Sequence, residues 1–260
     1  MSAGRIDPME QFHVEPVIGG HIVIGGYDIS FTNSALFMVV VFVLLAVFMQ
    51  GGLKGRLVPG RWQVAAESAV EFIDNMTSVS IGKGSKKFAP YIFSLFFFIL
   101  FANLVGVLPL AILPGLHTFA VTSHITVTAV LALMSFAIVL GVGFWKHGFK
   151  FFSLFVPHGA PGWLMPVIIP VEFVSFMVRP FSLALRLFVA MTAGHILLEV
   201  FGSFVVQGIN AGGPLGWIVS LLSFVMIVGV SALELLVCAI QAYVFALLTS
   251  LYLHDAVHLH

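Results

Sequence analysis

Two apolar tracts dominate the carboxyl-terminal half of the chain, and each is about twice as long as a bilayer's hydrocarbon core is thick. From Trp163 to Val206 more than forty residues are mostly apolar, and a Gly/Pro/Asn segment, Gly208 to Pro214, separates them from a second stretch, Leu215 to Leu253. At 1.5 Å of rise per residue such a tract reaches roughly 65 Å as a helix, against a core of roughly 30 Å. Helices of that length fit a membrane only if they are steeply tilted, curved or partly interfacial. The pattern predicts a long, strongly tilted helical hairpin over 163–206 and 215–253, with Pro166, Pro170 and Pro180 bending its first arm.

The rest of the chain agrees with a membrane environment. Of its 260 residues 60% are hydrophobic and 8% charged, whereas a soluble domain carries about 25% charged residues. Phe31 to Gln50 spans a core once, and further spans are expected at 88–108 and 118–145. Between them, 62–80 reads as an amphipathic interfacial helix, with Val64, Ala65, Ala69, Phe72 and Ile73 opposite Glu67, Glu71 and Asp74. Residues 151–162 carry three turn signals and are expected to connect helices at the interface. Residues 1–30 have four acids and no long apolar run, so they form a polar arm rather than a cleavable signal. The expected fold is a single all-α integral membrane domain over 1–260, with about five membrane-embedded helices and one interfacial helix. No repeat with a period of 20–50 residues is visible.

Charge sets orientation and excludes several functions. Six Lys/Arg fall in 51–87 and two in 146–162, with none near 109–117 or 207–214. The positive-inside rule then puts those two loops in the cytoplasm, the amino terminus outside and, after five crossings, the carboxyl terminus inside. Eleven basic and eleven acidic residues cancel, which argues against a nucleic-acid partner. A lone cysteine, Cys238, excludes an internal disulfide framework, and no Cys/His cluster has zinc spacing. No phosphate-cradling glycine loop with a lysine is present, so ATP is not expected to bind here, and no cofactor is expected.

The residues that carry chemistry lie inside the apolar tracts. Arg186 stands in PFSLALRLFVAMTAGHILLEVFGSF, where an ionised guanidinium costs roughly 2.5–3.5 kcal/mol on insertion scales. Its side chain stays protonated in any protein setting, so it is a fixed charge and not a proton carrier. Glu172, fourteen positions earlier, lies about 40° from it on the same helix face but about 20 Å away along the axis. His195 and Glu199 are one turn apart, and Glu234 shares a face with Gln241 on the second arm. Counted from the turn, Arg186 lies between Glu234 and Gln241 in depth. A hairpin would bring Gln241 to the guanidinium and Glu234 to His195. Arg179, before Pro180, reads as snorkelling to headgroups. Glu199 fits an interfacial or pairing role as well as proton transfer, Asn103 reads as a helix–helix contact, and His117 and His124 as outer-surface groups.

Leu185-Arg186-Leu187-Phe188, Thr192-Ala193-Gly194-His195 and Ile240-Gln241-Ala242-Tyr243-Val244-Phe245 together resemble subunit a of F-type ATP synthases. The similarity extends to Asn103-Leu104-Val105-Gly106-Val107-Leu108-Pro109 and Leu248-Thr249-Ser250-Leu251-Tyr252-Leu253. The resemblance implies a non-catalytic stator subunit that faces a ring of c subunits, each with a membrane-embedded carboxylate. Further implied partners are the lipid bilayer, b-type subunits of a peripheral stalk and the other synthase subunits with their catalytic headpiece, in a bacterial inner membrane. It implies that Arg186 is the essential stator arginine, Gln241 its partner, Glu172 a lining residue of the cytoplasmic half-channel, and His195 with Glu234 part of the outer one. Many bacterial members have Glu and His the other way round; the arrangement here is similar to the mitochondrial form. Ala190 stands where other members have an asparagine, so no role for that asparagine carries over. Glu/His relays suit protons better than sodium.

Two other classes compete. A secondary transporter would use Arg186 to bind an anionic substrate, but the internal repeat usual for that class is not visible. A haem carrier needs histidines on facing helices, and neither Phe31–Gln50 nor Leu215–Leu253 contains one.

Overall fold

The computed structural model describes residues 23–24, 27–28, 30–52, 60–82, 84–107, 120–156 and 164–258. Most of the polar arm, the basic residues Lys54, Arg56 and Lys83, the prolines at 109 and 114, His117 and the turn signals of 157–162 lie outside the described residues. A two-residue antiparallel ladder pairs β1 (Val23–Ile24) with β2 (Tyr27–Asp28), Val23 opposite Asp28 and Ile24 opposite Tyr27. The elements that follow it among the described residues are helices. The helices are α1 (Asn33–Gly52), α2 (Arg61–Ile81), α3 (Ala89–Val107), α4 (Ile125–His147), α5 (Met165–Ala211) and α6 (Gly213–Val257). All but α2 are long and apolar enough to cross a membrane.

At 47 and 45 residues, α5 and α6 are each about 70 Å long, more than twice a hydrocarbon core. The turn between them is shorter than the glycines and proline of 208–214 suggest. Helix α5 continues to Ala211 and α6 starts at Gly213, leaving Gly212 alone between them. Gly212 and Gly213 have φ of 63° and 71°, the left-handed region that a Cβ disfavours. Gly208 stays helical because α6 passes close by: a Cβ there would collide with Ser220 Oγ and stand 2.7 Å from the Gly216 carbonyl. Ser220 Oγ donates to the Val205 carbonyl at 3.0 Å at this crossing.

The helices belong to two compact units, one of 1–44, 99–124 and 188–241, the other of 45–98, 125–187 and 242–260. The first holds the α5–α6 turn, the end of α3 and a short 3₁₀ turn, Val121–Ser123. That turn precedes α4, which starts at Ile125 and not near 118 as the apolar run suggests. In the second unit Phe176 on α5 is buried at the centre of an aromatic cluster, with Phe136 and Phe155 rings 5.1 and 5.5 Å away. Phe151 and Phe155 come from a 3₁₀ helix, Gly148–Phe155, which runs into the interfacial connection expected over 151–162. Phe151 fits flush against Gly143, which has no Cβ to exclude it.

Helix α2 packs a different face from the one its hydrophobicity suggests. Gln63, Ala66, Ile73, Met76, Thr77 and Ile81 are buried, while Val64, Phe72 and Val79 are exposed. Of the five apolar residues expected on one face, only Ile73 is buried. In a membrane the apolar face has lipid as its partner, so small and polar residues can take the protein side. Trp62 joins α2 to α1, its Nε1 donating to the Phe48 carbonyl at 3.2 Å.

Candidate functional site

His195 on α5 and Glu234 on α6 meet in the first unit. His195 Nε2 lies 3.8 Å from Glu234 Oε1, and the side chains are 11% and 2% exposed. That separation is too long for a hydrogen bond, and neither Nε2 nor either carboxylate oxygen has a hydrogen-bond partner among the described residues. Buried polar groups are normally satisfied, and exceptions cluster where a proton, water or ion passes. Such a pair can be neutral or ionic depending on the position of one proton.

Glycines bring the backbones close enough for this pairing. A Cβ on Gly194 would stand 2.6 Å from Glu234 Oε1, and one on Gly106 would stand 3.6 Å from His195 Nε2. The space beside Gly194 is filled by the carboxylate of the same chain. Asn103 on α3 is a helix–helix contact as expected, its Nδ2 donating to the Cys238 carbonyl at 3.3 Å, one turn beyond Glu234. The 3₁₀ turn closes the cluster, with Thr122 and Ser123 buried and the Ser123 carbonyl accepting from Thr192 Oγ1 at 3.4 Å. His124 follows it, half-buried, and burial pushes its imidazole below the ordinary histidine range. Glu199 is half-buried one turn beyond His195, and Gln241 is half-buried on α6.

In the second unit Arg186 and Glu172 are both exposed on α5. Around Arg186 the helix shows an uncovered apolar stripe of Val178, Phe181, Leu185 and Val189, spaced three to four residues apart. Among the described residues no carboxylate forms an ion pair with Arg186; the ion pairs are Arg179–Asp255 and His195–Glu234. The first of these overturns the snorkelling expected for Arg179. Its Nη1 donates to Asp255 Oδ2 at 2.9 Å, and its guanidinium lies 4.8 Å from the centre of the Tyr252 ring. The pairing with Asp255 and Tyr252 is not legible in the sequence, because they lie 76 and 73 positions from Arg179 with no periodicity linking them.

No group of three or more His, Cys, Asp or Glu side chains among the described residues could hold a metal ion. The unit-one cluster contains an imidazole and a carboxylate, both groups that can bind a proton. Arg186 can only attract an anion.

The family model described as ATP synthase A chain matches residues 33–254. Proteins named ATP synthase subunit a are similar over nearly the full length. That of Erythrobacter litoralis is 61% identical over 259 residues, covering 99% of this chain and 98% of the relative. That of Sphingopyxis alaskensis is 63% identical with the same coverage. The Novosphingobium aromaticivorans protein is 59% identical and covers both chains completely.

Proposed function

Since the chain belongs to the ATP synthase subunit a family, we propose that it is the proton-conducting stator of the membrane motor, with Arg186 facing the carboxylates of a c-subunit ring. The observation that carries this is an exposed arginine that forms no ion pair with a carboxylate among the described residues, beside an uncovered apolar stripe. A permanent cation at membrane depth needs a counter-charge. A carboxylate on another chain supplies it.

The chemistry follows from which groups titrate. A proton from the outer side reaches His195 and Glu234 and passes to a ring carboxylate. That carboxylate enters lipid only once it is neutral, because the desolvation of a charge is too costly. After the ring has turned, the same group meets the aqueous inner half-channel near Glu172 and releases its proton. Arg186 stabilises the ionised form at the interface. It has no proton to give up, so no direct wire joins the two half-channels. Gln241 is a further polar group of α6 assigned to proton translocation, while Glu199 and Asn103 belong to the outer side, the first as a further proton group and the second through its grip on the α6 backbone. The chain itself carries out no bond chemistry on ATP. The loops rich in Lys and Arg face the cytoplasm of a bacterial inner membrane, the amino terminus lies outside, and b-type stalk subunits and the catalytic headpiece complete the assembly. The conducted ion is H⁺.

Cysteine cross-linking tests the placement of the stripe. In a Cys238→Ser background, Val189→Cys should form a disulfide in native membranes with a cysteine placed one turn from the ring carboxylate. Val130, exposed on α4, should not when replaced in the same way. Cross-linking from 130 but not from 189 would put the ring on another surface.

A further inference from the structure

Arg179 and Arg186 are seven residues apart on α5, so they share a helix face and stand about 10 Å apart along the axis. Their surroundings differ. Arg179 donates to Asp255 at 2.9 Å and stacks between Tyr252 and Phe176, whose ring centres are 4.8 and 5.3 Å away. Asp255 and Tyr252 sit at the end of α6, which is itself fixed: the Val257 carbonyl accepts from Lys146 Nζ at 2.9 Å and lies 3.0 Å from His147 Nε2. Among the described residues no carboxylate pairs with Arg186. The Tyr252 side chain lies within electrostatic reach of both guanidiniums and of Asp255.

We propose that Asp255 is a positioning residue that neutralises and immobilises Arg179, so that Arg186 is the one cation on this face of α5 open to an incoming carboxylate. The proposal rests on the reading of Arg186 as the partner of the ring carboxylates. It adds a reason why a second arginine on the same face does not compete. Unpaired, Arg179 would offer a second attractive station on the side of Glu172, where the carboxylate has to be released. Two unit charges about 10 Å apart at an effective dielectric near 20 shift an equilibrium roughly tenfold, enough to delay that release.

The test compares Asp255→Asn, Arg179→Gln and the double variant in the complete complex, reconstituted in vesicles, reading ATP synthesis at fixed driving force together with the amount of complex assembled. Asp255→Asn is expected to slow synthesis about tenfold at normal assembly, the size set by the freed charge. Arg179→Gln alone should stay near the unmodified rate, and adding it to Asp255→Asn should restore most of the loss. A merely structural ion pair gives the opposite pattern, with both single variants impaired alike and no rescue in the double. If Asp255→Asn does not assemble, Arg179→Gln decides, because loss of synthesis in that variant overturns the proposal. An Arg186→Ala control separates the two levels. Synthesis retained there removes the reading beneath, whereas unaltered synthesis in Asp255→Asn with an inactive Arg186→Ala removes only this inference.

Discussion

Gly194 shows how closely the His195–Glu234 pair is built into its helices. Substitution by alanine puts a methyl group 2.6 Å from Glu234 Oε1, and the carboxylate, the free end of a flexible side chain, has to move. We expect Gly194→Ala to leave assembly intact and to cut ATP-driven acidification of vesicles between about tenfold and a hundredfold, the scale on which small misplacements act. Unchanged acidification at normal assembly would mean that proton passage does not depend on where that carboxylate sits. His195, Glu234 and Arg186 stand out in the sequence because ionisable groups in apolar tracts are costly and therefore conspicuous. Gly194 does not, since a small residue announces a close approach without saying which helix makes it. Arg179 is the clearest case of what a local reading leaves out. Its partner Asp255 lies 43 residues past Gly212 while Arg179 lies 33 before it, so equal counting from the turn misses the pair.

At the scale of elements, the hairpin turn is a single residue with a conformation suited to glycine. Gly212→Val forces a branched side chain to φ near +63° at a cost of about 1–2 kcal/mol. The expected outcome is a lower melting temperature of the purified complex. Gly202, helical and with no atom within 4 Å of an added Cβ, is the control: Gly202→Ala should be neutral or slightly stabilising. Equal melting for the two variants would show that the turn is not where strain accumulates. The number, order and rough extent of the helices were readable from the length of the apolar runs. Which face each one packs was not. In water the apolar face of an amphipathic helix turns inward, but in a membrane lipid receives it, so α2 buries Gln63, Ala66 and Thr77 and leaves Val64 and Phe72 outside. For the same reason Gly208 is a packing residue inside α5, although its sequence surroundings read as a turn.

At the scale of the molecule, most of the apolar surface of α5 and α6 is uncovered by the rest of the chain. Lipid accounts for an apolar surface, but it does not account for Arg186 in the middle of one. A fixed cation between groups that titrate makes sense as a separator of two proton paths whose carrier is a carboxylate on another chain, and this is the central claim. The direct measurement is ATP synthesis and passive proton leak in the same vesicles carrying the complex with Arg186→Ala. The expected result is loss of synthesis by at least about a hundredfold, as follows from removing the counter-charge of a carboxylate held out of water, with complex assembled at normal levels. Synthesis at near-normal rates, with leak unchanged, would contradict it.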